Sequence, residues 1–82
     1  MASTINATER KQTHRILSNR EIQVLGLVLE GRSSKEIAQS LYLSKRTVDY
    51  HLASIYGKLN VGNRLQAVRR AAELGLVSRI LA

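Results

Sequence analysis

From Leu17 onward the apolar residues recur at helical spacing in four successive stretches, each opened by a residue suited to a helix start. In the first, Ile22, Leu25, Val28 and Leu29 share one face. Ser18 and Glu21 precede them at the capping-box spacing, in which the hydroxyl accepts from the amide of residue 21 and the carboxylate accepts from the amide of residue 18. Leu17 and Ile22 stand where a hydrophobic staple needs them, and Gly31 suits a left-handed helix end. The pattern predicts a helix over about 19–30.

Ser33 and Glu36 repeat the same spacing before Ile37, Ala38 and Leu41, which predicts a short helix over about 34–41. Tyr42 and Leu43 leave only a tight connection before Ser44, a candidate cap for a third helix over about 45–59. Val48, Leu52, Ile55 and Leu59 form its buried stripe. Asn60 to Asn63 is a turn cluster, Asn63 and Gln66 have cap spacing, and a fourth helix is expected over about 64–74, closing at Gly75. Residues 1–15 lack sustained periodicity and are read as a flexible tail or linker, with the domain proper over 16–82. The fold class expected is all-α, a four-helix domain.

Composition narrows what such a domain does. With 82 residues the chain makes one small domain with little room for an enclosed substrate cavity, and without cysteine it has neither disulfides nor a thiolate metal site. His14 and His51 are the only histidines, and no glycine-rich phosphate loop or paired acid constellation is present. Ser33, Ser34 and Ser44 are accounted for by capping. An enzyme is therefore not expected, and neither is a metal or cofactor site. No apolar run approaches the roughly 18 residues of a membrane span, so a soluble cytoplasmic protein is expected. The net charge of +7 calls for an anionic partner: nucleic acid, an acidic membrane surface or an acidic protein.

Residues 34–59 choose among these. A two-turn helix, a three-residue joint and a longer amphipathic helix make a helix-turn-helix, in which the first helix braces the second across a duplex groove. Ala38 suits the close crossing. With the Val48 to Leu59 stripe inward, Lys45, Arg46, Asp49, Tyr50 and Ala53 lie outward, a face matched to a major groove. Between Arg32 and Arg64 six cations (Arg32, Lys35, Lys45, Arg46, Lys58, Arg64) face two acids, a surplus of four that suits phosphate contact. Double-stranded DNA is the expected partner.

The segments LSNRE, GRSSKEIA, LSKRTVDYH and IYGKLNVGNRLQAV, continuing to AAELGLV, together resemble the LuxR/GerE-type (NarL-like) DNA-binding domain of bacterial transcription regulators, including response regulator effector domains. The resemblance covers Leu17 to Val77. It implies a four-helix domain whose third helix reads the major groove and whose fourth pairs two copies. By the same resemblance Thr47 and Lys58 meet phosphates, while Asp49, Tyr50 and Ala53 face bases. RNA polymerase is a further candidate partner. Asp49 departs from the lysine or arginine frequent at its position; a carboxylate cannot pair with guanine O6 and N7 but accepts from cytosine N4. Either a distinct operator preference or a role orienting Lys45 or Arg46 follows.

Plainer readings compete at several positions. Thr47 is also placed to bond its own helix end, Tyr50 to pack on helix two, and His51, at the stripe's edge, to be partly buried. Lys58 is favoured at a helix end by the dipole whatever the partner. On helix four, Ala67, Ala71 and Leu74 project to one side and Leu65, Ala72 and Leu76 to the other. The second side is expected to meet a symmetry-related copy, giving half-sites about 34 Å apart, or to be covered by Val77 to Leu81. Rival functions are a sigma-factor-like promoter-recognition module, which KLNVGNRLQAV argues against, and a basic adaptor for an acidic protein or membrane.

Overall fold

The computed structural model describes residues 17–77, and among these four helices are complete: α1 (Asn19–Leu29), α2 (Ser34–Leu41), α3 (Lys45–Leu59) and α4 (Arg64–Glu73). The expected tail over 1–15, with His14, and the segment beyond Val77 lie outside the described residues. The start signals act as the spacing requires. Ser18 Oγ accepts from the Glu21 amide at 3.1 Å while Glu21 Oε1 accepts from the Ser18 amide at 2.9 Å. Ser33 and Glu36 repeat this at 3.1 and 2.8 Å. Ser44 caps α3 by accepting from the Thr47 amide, and Asn63 caps α4 by accepting from the Gln66 amide. Each such cap is worth about 0.5–2 kcal/mol to its helix.

Helix ends use the left-handed region. Gly31, at φ +88°, ends α1 and lets the Arg32 amide return to the Leu27 carbonyl at 3.0 Å. Tyr42 takes φ 56° at the end of α2, so the chain turns into α3 within three residues. A non-glycine residue pays for that conformation, and a tyrosine gains none of asparagine's local bonding in return.

One core holds the helices together. Val24, Leu25 and Val28 of α1, Ile37 and Ala38 of α2, Val48, Leu52, Ile55 and Leu59 of α3, and Ala67 and Ala71 of α4 are buried, with Leu17 and Leu76 at its ends. Helix α3 is central, packing on the other three. Its stripe is the one its periodicity predicts, so the opposite flank is left to solvent. Among the described residues no helix is long and apolar enough to cross a membrane.

The last turn corrects one expectation. Helical extrapolation places Leu74 inside and Leu76 outside, beside Leu65 and Ala72. The structure reverses the two: Leu76 is 5% exposed and Leu74 40%. The reason is that α4 stops at Glu73, and Gly75, at φ +72°, turns the chain back toward the core. The helical phase of α4 does not carry through that turn.

Candidate nucleic-acid interface

The outward flank of α3 carries the residues on which the functional reading rests. Lys45, Arg46, Asp49, Tyr50 and Ala53 are all exposed, Tyr50 at 72%. Tyr50 is largely exposed, and its ring stands edge-on to that of His51, with centroids 6.0 Å apart. His51 is half-buried. Thr47 is half-buried in the first turn, where its Oγ1 accepts from the Ser44 hydroxyl at 2.9 Å. Lys35 is exposed on α2 rather than on the α3 flank.

Two of the three lysines expected to meet DNA are already paired. Lys45 Nζ donates to Asp49 Oδ2 at 2.8 Å across one helical turn, and this bond holds the Asp49 carboxyl below its usual range. Of the two neighbouring cations that Asp49 is expected to meet, Lys45 is the one it bonds. Lys58 Nζ donates to Glu21 Oε1, also at 2.8 Å. Glu21 is buried and accepts in addition from the Ser54 hydroxyl at 2.6 Å. Burial pushes its carboxyl up, but the bonds from Lys58, Ser54 and the Ser18 amide outweigh that and hold it at about 2. It is a carboxylate throughout the neutral range.

Sequence reasoning gave Glu21 only its cap. A capping carboxylate leaves one oxygen free, which is a hint, but Ser54 and Lys58 lie 33 and 37 residues away and no local spacing identifies them. In the sequence Arg64 likewise counts only toward the surplus charge. Its guanidinium donates to the carbonyls of Val28, at 3.4 Å, and Arg32, tying the start of α4 to the end of α1. Of the six cations between Arg32 and Arg64, Lys35 and Arg46 have no ion pair or side-chain hydrogen bond among the described residues.

The expected pairing face on α4 is partly present. Leu65, at 66%, and Ala72 are exposed, and Leu74 joins them, whereas Leu76 belongs to the core. Among the described residues no group of three or more His, Asp or Glu side chains is arranged to hold a metal ion.

Comparison with known proteins agrees with this architecture. Residues 15–71 match the family described as bacterial regulatory proteins, luxR family. The transcriptional activator protein AnoR of Acinetobacter nosocomialis is 42% identical over 77 residues, covering 94% of this chain and 32% of AnoR. The transcriptional regulatory protein ComA of Bacillus subtilis is 45% identical over 62 residues, covering 76% of this chain and 29% of ComA. The crystal structure of the response regulator ChrA, of a heme-sensing two component system, aligns with a TM-score of 0.70 at 42% identity, over 73% of this chain and 30% of ChrA. The chain thus spans about a third of the length of these relatives. A match of this extent, on a helix-turn-helix with an open second helix, means that the chain belongs to the luxR family of bacterial regulatory proteins.

Proposed function

We propose that this chain is the DNA-binding element of a transcription regulator, with α3 seated in the major groove of double-stranded DNA. The observation that carries the reading is the exposed flank Lys45, Arg46, Asp49, Tyr50 and Ala53 on the N-terminal two-thirds of the second helix of a helix-turn-helix. Arg46 and Lys35 supply phosphate contacts without first losing a protein partner. Lys58 keeps further ammonium donors beside the one on Glu21 and, 37% exposed in its side chain, meets a phosphate through them. The Thr47 amide and hydroxyl serve the cap of α3, so its phosphate contact uses the hydroxyl's own proton.

The exposed Leu65, Ala72 and Leu74 support a second element of the proposal, pairing of two copies through α4 to engage two half-sites. Membership of the luxR family favours this regulator over a sigma-factor module or a basic adaptor.

Titration of labelled duplexes tests the reading. Binding weakens with salt at a log-log slope near −0.9 per phosphate neutralised and separates specific from random sequence by about 10³ or more. Equal affinity for all duplexes at every salt concentration refutes base reading by α3.

A further inference from the structure

Helix α3 opens against its own electrostatics. Its first turn carries Lys45 and Arg46 and no acid, as α4 opens on Arg64 without one, whereas α1 and α2 begin with Glu21 and Glu36. Cations are disfavoured at the positive end of a helix, and the order of the Lys45–Asp49 pair, cation before acid, is the weaker of the two i,i+4 arrangements. Nor does burial demand the pair, since the two side chains are 65% and 48% exposed. An exposed pair in that order adds only a few tenths of a kcal/mol to its helix, and it lies on the flank that the proposed function turns toward base edges.

The pair has a chemical complement. Asp49 Oδ2 and Lys45 Nζ sit 2.8 Å apart, an acceptor beside a donor. In the major groove cytosine offers the N4 amino donor and guanine the O6 and N7 acceptors, and N4 and O6 are neighbours because base pairing joins them. We propose that Lys45 and Asp49 read one C·G base pair as a unit, Asp49 accepting from cytosine N4 and Lys45 donating to guanine O6 and N7. The inference rests on the major-groove reading above.

Other base pairs fit less well. The reversed pair, G·C, sets guanine O6 against the carboxylate. An A·T pair keeps an amino donor for Asp49 but adds the adenine N7 acceptor on the carboxylate's side and places the thymine methyl where guanine N7 would meet Lys45. Asp49, whose carboxyl the bond from Lys45 holds below its usual range, is ionised at neutral pH as any exposed aspartate is, and serves only as an acceptor.

The test is selection of bound duplexes from a random pool by the 82-residue chain and by Asp49→Asn and Lys45→Ala, followed by titration of duplexes that differ at the implicated base pair. The unaltered chain is expected to select C·G at one position of each half-site and to prefer it there by about tenfold or more. Asp49→Asn moves that position alone toward A·T, because a carboxamide pairs with adenine N6 and N7. Lys45→Ala shrinks the preference at the same position. Both side chains are exposed, and unchanged melting temperatures establish that the variants are folded. A selected site identical for the unaltered chain and Asp49→Asn, or one uniform loss of affinity across all duplexes, overturns the paired reading while leaving α3 in the groove. If the unaltered chain selects no sequence, the major-groove reading falls and this one with it.

Discussion

Lys58 and Glu21, at 2.8 Å, fasten the last turn of α3 to the first turn of α1. The contact gives a lysine proposed to meet phosphate a second function, because Glu21 is buried and Lys58 is its charged partner. Removing Lys58 strands that carboxylate. We expect Lys58→Ala to cost about 1–3 kcal/mol in urea unfolding, less than for a wholly buried pair because Lys58 is partly solvated. An unchanged midpoint would mean that the lysine faces solvent only.

Acid should expose the same junction. The Glu21 pKa is depressed from 4.5 to about 2 in the folded chain, so its contribution to stability is complete above the ordinary carboxylate range and is lost as pH falls toward 2. Glu36 and Asp49 are shifted in the same direction, by the Ser33 amide and by Lys45 respectively. Melting temperature should therefore drop from about pH 4.5 downward. Glu21→Gln should start lower at neutral pH and fall less steeply; parallel curves for the two proteins would dissociate the acid transition from Glu21.

Leu65, in the first turn of α4, and Leu76, beyond its end, should separate folding from pairing. Leu76→Ala empties a core position and is expected to destabilise the single copy by about 2–3 kcal/mol. Leu65→Ala, on an exposed side chain, should change stability by no more than about 0.5 kcal/mol. If two copies pair through α4, Leu65→Ala weakens cooperative binding to a two-half-site duplex and spares binding to a single half-site. Unaltered cooperativity would remove Leu65 from the pairing surface.

Tyr42 offers a gain. It is 95% exposed and holds a left-handed conformation, so its side chain contributes almost no burial to offset the backbone cost. Tyr42→Gly relieves about 1 kcal/mol of strain and returns part of it as unfolded-chain entropy, leaving a net gain near 0.5 kcal/mol. A lower melting temperature for this variant would show that the tyrosine ring holds the turn.

The helices were legible because their signals are local. Ser18 with Glu21, Ser33 with Glu36, Ser44 and Asn63 each mark a start within four residues, and the Val48 to Leu59 stripe orients α3 and so exposes Lys45 to Ala53. What sequence alone left out is of another kind. The contacts of Glu21 with Ser54 and Lys58, and of Arg64 with Val28 and Arg32, join residues more than thirty positions apart, and only packing brings them together. The exchange of Leu74 and Leu76 had a local cause, Gly75, but the point at which rotation ceases depends on where α4 ends.

The grip of Arg64 on the carbonyls at the end of α1 means that α4 is clamped to the body of the domain at its first residue. Were two copies joined through Leu65, neither could swivel independently at that joint. The assembly would behave as a ruler with one graduation, accepting half-sites at a single spacing and rejecting those displaced by half a turn of the double helix.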